Sequence, residues 1–340
     1  MITEVMKIES LQPLVKVARE LLLNSMSENT KRAYMSDWRS FVMFCIENSF
    51  EPLPADTDTL VLWIADCKEK KKKTSSIVRS MTSINKIHLM LGHETTHRPT
   101  VREAMRGLKR TQGVAKEKTH AILWEELCLM IQGVWAFEET KSAIEKRDAA
   151  ILSIGWSGAL RRSEISELTF DDIDYSKKGV LLNIAKSKTD QFGEGYKIAI
   201  PFLDTRFCAA TILKRWIDFL AGNGITAGFL FRSLGMSGRR YRPESIGGKI
   251  GDQSIGLIVK RYAKYIGKKK TDVSAHSLRR GFCTQAAMSG VPERLIMRHT
   301  RHQSVEVMRE YIDSGNIWNE SPLYAMYPSL NSVSGLLQKS

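Results

Sequence analysis

AHSLRRGFCTQAAMSGVPERLIMRHTRHQSVEVMREYID, residues 275–313, decides how the rest of the chain is read. It holds His276, Arg279, His302 and Tyr311: two imidazoles, one permanent cation and one phenol. It offers no serine with an acid partner, no cluster of metal ligands and no glycine-rich phosphate loop. That inventory suits a reaction at a phosphodiester. The planar fork of an arginine can hold two non-bridging oxygens. Histidines can donate hydrogen bonds to the same oxygens or move protons near neutral pH. A tyrosine oxygen can attack phosphorus and stay bound to it.

His276 and Arg279 are three apart and share a face of a helix. In SVEVMREYIDSG, Val305, Met308 and Ile312 are spaced as a buried stripe, with Ser304 as the N-cap and Tyr311 on an adjacent face, four from Val307. Singly, each residue has an ordinary reading. A tyrosine on an amphipathic helix is usually a core or rim residue, and HxxR occurs by chance. Their order in one segment, with two further pieces upstream, changes the weighing.

The 340 residues suggest two domains, and 43% hydrophobic content is enough for a core in each. Lys and Arg number 51 against 37 Asp and Glu, a net charge of +14, which favours a polyanionic partner. No apolar run approaches the ~18 residues of a transmembrane helix, and the mixed, acidic start MITEVMKIES is not a signal peptide. Nucleic acid is therefore the better partner than a membrane. The five cysteines are scattered without a CxxC, so a reducing compartment and no structural zinc are expected.

Residues 1–114 read as a helical domain. Tyr34, Trp38, Phe41 and Cys45 recur at helical spacing after Ser27; Leu60, Trp63, Ile64 and Cys67 make one face of the next helix. The run Lys68–Lys73 reads as a solvated loop. In SSIVRSMTSINKIHLML, Ile77, Met81 and Ile84 form an apolar side, while Arg79, Thr82, Ser83 and Lys86 lie on another. Small hydroxyls between two cations allow close approach to a groove and bonds to phosphates and base edges. The same face reads equally well as ordinary solvent surface. VREAMRGLKR is another short basic helix, and the polar, basic segment 115–122 reads as a linker.

The second domain, 123–340, opens with helical stretches over WEELCLMIQGVWAF and KRDAAILSIGWSGALRRSEISELTF. The latter places Arg161 and Glu164 three apart, either as an arginine oriented by its carboxylate or as a simple surface pair. GVLLNIAKSKT and YKIAIPF are strand-like around the turn DQFGEG, with Lys188 where the first strand meets the turn. GRRYRPESIGGKIGDQS, 238–254, reads as a loop before the helix SIGLIVKRYAKYIGKKK.

The order Arg161, Lys188, His276-x-x-Arg279, His302, Tyr311 resembles the tyrosine recombinase (phage integrase) family. The resemblance covers nearly the whole chain. Local likeness is to the Cre type, in SENTKRAY, SSIVRSMTSINKIHLMLG, ALRRSEI, the SKT hairpin and HSLRRG. It implies a mostly α fold with a small β-sheet: a two-domain DNA clamp of a helical core-binding domain and an α+β catalytic domain. Two departures stand out. The family commonly has glycine just before the second histidine position, where this chain has Arg301, and Arg280 adds a cation after Arg279.

Carried over, the resemblance implies that Arg161 and Arg279 bind the scissile phosphate and that Tyr311 attacks it, leaving a 3′-phosphotyrosyl link and a free 5′-hydroxyl. Lys188 would protonate the leaving oxygen. His276 would act as base or phosphate ligand, His302 would donate a hydrogen bond, and Glu164 would support the site. No metal and no other cofactor are implied. Thr30, Arg32, Arg79, Thr82, Ser83 and Lys86 are the candidate DNA-binding residues. The expected partner is double-stranded DNA with inverted repeats. The apolar tail, with Trp318, Leu323, Tyr324, Met326 and Tyr327, would dock on a neighbouring subunit in a homotetramer. A bacterial, phage- or plasmid-encoded cytoplasmic protein at the nucleoid is expected. Two alternatives share the scaffold: a type IB topoisomerase or telomere resolvase, and a non-catalytic DNA-binding protein.

Overall fold

The computed structural model describes residues 26–113, 119–135, 143–184, 195–235, 246–302, 304–306 and 309. The chain divides into two units, 1–117 and 118–340.

Four helices build the first unit: α1 (Glu28–Glu47), α2 (Thr57–Glu69), α3 (Thr74–Met90) and α4 (Pro99–Gln112). Their starts are set locally. The Ser27 hydroxyl accepts from the Thr30 N–H at 3.2 Å, and the Asp56 carboxylate accepts from Thr59 at 2.6 Å. Pro99 opens α4, where a missing N–H costs nothing. The apolar faces of α2 and α3 expected from spacing are buried, Leu60, Trp63, Ile64 and Cys67 against Ile77, Met81 and Ile84. On α1 the stripe is rotated: Phe41, Phe44 and Cys45 are buried while Tyr34 is only half-buried. Trp63 fits inside because its indole N–H donates to Ser80 Oγ at 3.2 Å. The basic run is partly helical, since α2 extends through Glu69, and Lys72 lies over the Trp63 ring, 4.6 Å from its centroid.

The second unit is built on α6 (Ala143–Ser157), buried without a break from Ala149 to Trp156. A helix apolar on every side is buried on every side. Packed on it are α5 (Trp124–Trp135), α8 (Ala209–Gly222) and α10 (His276–Met288). A side chain at Gly155 would meet Leu278 Cδ1 at 2.9 Å, so glycine sets the close approach of α6 to α10. Asp148, fully buried, accepts from Arg147, from Arg261 Nη1 at 2.8 Å and from the Tyr262 hydroxyl at 3.1 Å, tying α6 to α9 (Asp252–Tyr262).

Between α7 (Arg162–Glu167) and α8 runs an antiparallel sheet of β1 (Ile173–Ser176), β2 (Gly179–Ile184) and β3 (Tyr196–Pro201), in the order β1-β2-β3. Leu182 pairs with Ile198 and Val180 with Ile200, and all four are buried. The turn that carries Lys188 lies outside the described residues. The segment read as a loop over 238–254 contains a strand: β5 (Ile246–Lys249) pairs with β4 (Arg232–Leu234), and α9 starts at Asp252. IGGK has no apolar alternation because its residues are mostly exposed, so the pairing leaves no mark in the sequence. The last described helix is α11 (Glu293–Thr300). The fold is mostly helical with small sheets, as the resemblance implied.

Candidate active site

Arg161 is placed by a break in the chain. Helix α6 stops at Ser157, the backbone turns through Ala159 at φ +44°, and α7 restarts with Arg161 as its N-cap. Glu164 reaches back, as a carboxylate at the third helical position does. Its Oε2 accepts from the Arg161 N–H at 2.8 Å and its Oε1 from Arg161 Nη1 at 2.7 Å. Glu164 is buried, so the pair is not the exposed i, i+3 contact that spacing alone also allowed. A second guanidinium reaches the same carboxylate: Arg301 Nη2 donates to Oε2 at 2.8 Å.

Arg279, on α10, is 1% exposed. Its Nη1 donates to the Ala159 carbonyl at 2.6 Å and its Nη2 to the Thr300 carbonyl. The left-handed turn at Ala159 thus aims an oxygen at one arginine while starting the helix that carries the other. Burial, then the charges of Arg161 and Arg301, pushes Arg279 down to about 10, which leaves it protonated at neutral pH. His276 opens α10 at the surface; desolvation by its surroundings and the guanidiniums of Arg279, Arg280 and Arg161 hold it below the usual imidazole value. Arg161 and His276 line one groove of about 360 Å³, together with Arg162, Gln253, Lys260 and Ser274. Sequence reading passed over Gln253 and Lys260, which nothing in their spacing links to Arg161.

His302 follows α11 directly. Its Nδ1 lies 2.7 Å from Thr300 Oγ1, and that hydroxyl spends its one hydrogen on the Ile296 carbonyl at 2.7 Å. The imidazole is therefore the donor through Nδ1, and its Nε2 carries a lone pair when the ring is neutral. Burial, followed by Arg279 and Arg161, pushes His302 down to about 3, so it is neutral across the physiological range. A hydrogen bond donated to phosphate by Nε2 needs a second proton on the ring. Arg301, between these two residues, takes φ +58°, a region that costs a side-chain-bearing residue about 1–2 kcal/mol. The neighbouring departure, Arg280, donates through Nη1 to the Thr119 carbonyl at 2.9 Å. A side chain at Gly281 would strike the Ile122 carbonyl, so this turn of α10 is where the chain entering the second unit crosses.

The structure thus brings Arg161, Glu164, His276, Arg279 and His302 into one neighbourhood. Tyr311 and Lys188 lie outside the described residues, as do Val307, Met308, Ile312 and the tail.

In the first unit the candidate DNA-binding residues divide. Arg79 donates through Nε and Nη2 to the two oxygens of Asp37 at 2.9 and 3.0 Å, and Ser83 donates to the same carboxylate at 3.0 Å. Ser83 is fully buried beneath Arg79, so it steadies the arginine's partner and presents no hydroxyl at the surface. Helical spacing alone does not separate a hydroxyl on the rim from one tucked under a neighbour. Thr82 is exposed and Lys86 half-exposed. Thr30 is taken up by Ser27, 2.8 Å between hydroxyls, and Arg32 is exposed beside Asn29. Arg32 lines a groove of about 440 Å³ with Lys31, Ser36 and Arg39, residues the sequence reading omitted. If this surface meets phosphates, Lys86→Ala lowers the salt slope of DNA binding by about one unit. Arg79→Ala weakens binding with a smaller change in slope, because Asp37 already offsets its charge. Anisotropy titrations over a salt series check this; unchanged affinity and slope in both variants would leave the face merely solvated.

Residues 131–316 match the phage integrase family, and residues 19–95 match its N-terminal SAM-like domain. An integrase/recombinase xerD homolog of Selenomonas ruminantium is 34% identical over 327 residues, 94% of this chain and 92% of that protein. The tyrosine recombinase XerC of Herpetosiphon aurantiacus is 26% identical over 296 residues, 85% of each chain. Among solved structures, the Tn1549 transposon integrase in complex with transposon right end DNA shares the fold at TM-score 0.59 and 15% identity, covering 84% of this chain and 89% of that one. A lambda integrase dimer bound to a COC′ core site does so at 0.55 and 14%, covering 89% and 77%. With arginines and histidines converging in the family's order and one family match in each of the two units, this chain belongs to the phage integrase family, the tyrosine recombinases.

Proposed function

We propose that the chain is a site-specific DNA recombinase that cleaves and rejoins duplex DNA through a 3′-phosphotyrosyl intermediate. One observation carries the reading: Arg161 and Arg279 are buried or half-buried in one place with only Glu164 as a described carboxylate between them. Such an excess of positive charge is stable beside an anion, and it serves best where negative charge grows in the transition state. In the proposed cycle both arginines hold the non-bridging oxygens while the Tyr311 oxygen attacks phosphorus. Lys188 protonates the departing 5′-oxygen, and His276 takes the phenol proton or binds phosphate. His302 is kept neutral first by burial and then by the neighbouring arginines; an incoming phosphate offsets those charges and favours the doubly protonated ring, which can donate through Nε2. The bond energy stays in the phosphotyrosine, so the cycle has no step for ATP or a metal ion. A partner 5′-hydroxyl reverses the attack, and two such exchanges pass through a Holliday junction.

The proposed working form is a ring of four on a site with inverted repeats, in the cytoplasm of a bacterium or on its phage or plasmid DNA. No helix among the described residues is long and apolar enough to cross a membrane. Supporting a docked tail is an apolar groove of about 340 Å³ on the second unit, lined by Trp156, Phe282, Val291, Leu295 and Ile296. Tail side chains Leu323, Tyr324 and Met326 from a neighbour suit it in kind. A plasmid carrying two copies of a duplex site enriched by the protein from random DNA separates the readings. Excision supports recombination; relaxation alone indicates a topoisomerase; binding alone indicates a dead scaffold. The chain ended after Ser314 should keep cleavage but give monomers and dimers by mass photometry, and unchanged tetramers would count against tail docking.

A further inference from the structure

We infer that Arg301 is a positioning residue for this reaction: by occupying one oxygen of Glu164, it leaves Arg161 its charge for the scissile phosphate. This rests on the recombinase reading above. Arg301 is 92% buried, being 8% exposed, and is held at φ +58°, where glycine would be the unstrained choice. Its Nη2 binds Glu164, while its Nε and Nη1 are buried and meet no hydrogen-bond partner among the described residues. A strained backbone and a guanidinium mostly without partners are a poor device for stability alone. Their electrostatic effect is definite. Among the described residues three guanidiniums, Arg161, Arg279 and Arg301, stand against the single carboxylate of Glu164, which leaves two positive charges uncompensated among them. Tyrosinate attack on a phosphodiester builds two negative charges. With glycine at position 301, Glu164 would set its whole charge against Arg161 and one positive charge would remain.

Removing the charge of Arg301 therefore harms the reaction, and removing the charge of Glu164 in the same chain repairs it. The test uses the full chain and a nicked suicide duplex built from the enriched site, with single-turnover formation of the covalent adduct as the readout. Arg301→Gly, which suits the left-handed backbone, should slow the adduct on the order of 10–10²-fold, below the loss from deleting a direct oxyanion donor, with little change in duplex affinity. Arg301→Gln, which keeps a donor toward Glu164 without the charge, should slow it alike. The double variant R301G/E164Q again holds two uncompensated positive charges and should recover most of the rate. A role confined to loop shape predicts no such recovery. Wild-type rate in R301G or R301Q, or a double variant no faster than R301G, overturns the inference. A second arm needs no DNA: thermal stabilisation by orthovanadate, which binding to the folded state raises by mass action. The part of that stabilisation lost in R161A should shrink in R301G and return in R301G/E164Q. If the wild-type chain forms no adduct, the recombinase reading falls; the vanadate series still decides the role of Arg301, and no difference between wild type and R301G overturns it.

Discussion

Tyr311→Phe binds the enriched duplex with near-normal affinity and forms no covalent adduct on a suicide substrate. The expectation follows from what the substitution removes. Phenylalanine keeps the aromatic ring and its apolar bulk. Only the oxygen that becomes bonded to phosphorus is lost. A covalent mechanism without its nucleophile has no slower version of the same step, so adduct should fall below detection. Arg161 and Arg279 remain to hold phosphate, which is why affinity survives. Any turnover left would be attack by water, seen as a nick without attached protein. An SDS gel of labelled duplex reads both products. Adduct from Tyr311→Phe would move the nucleophile elsewhere, with Tyr324 and Tyr327 of the tail as the next candidates.

Lys188→Ala slows cleavage of ordinary DNA on the order of 10²–10⁴-fold, as loss of a general acid does. A 5′-alkoxide is a poor leaving group, close in basicity to hydroxide, whose conjugate acid has a pKa of ~15.7. A thiolate leaves far more readily, since a thiol's pKa is ~8.5. A duplex with sulfur in place of the bridging 5′-oxygen should therefore return most of the lost rate to Lys188→Ala. It should not rescue Arg161→Ala to the same degree, because Arg161 serves the non-bridging oxygens, which the sulfur leaves in place. Burst-phase rates on the paired substrates make the comparison. Equal rescue of both variants, or none for Lys188→Ala, would assign the proton to His276 or another residue.

Much of this molecule can be read from the chain alone because its signals are local. Apolar residues at helical spacing placed Leu60, Trp63, Ile64 and Cys67 inside α2, and Ile77, Met81 and Ile84 inside α3. Two strand-like runs around the turn DQFGEG marked β2 and β3. The residue types and their order carried the family, since arginines, histidines, a lysine and a tyrosine in that order suit chemistry at a phosphodiester. Short-range partners such as Glu164 reaching back to Arg161 also follow from a three-residue spacing.

Tertiary structure decided whatever depends on partners distant in sequence. Arg279 is held by carbonyls at 159 and 300, and α10 and α6 approach through Gly155. Ser83 lies on the correct side of α3 by spacing, yet Asp37 of α1 draws it under Arg79. The neutral tautomer of His302 depends on where one hydroxyl hydrogen of Thr300 goes. In the sequence Arg301 is only a departure from the family's glycine; in the fold it joins Glu164 across 137 residues of chain. Residue type and periodicity are properties of neighbours along the chain, so the sequence determined most of the helices and the family. Burial and charge balance are properties of neighbours in space, so which arginine is free for an anion became visible only after folding.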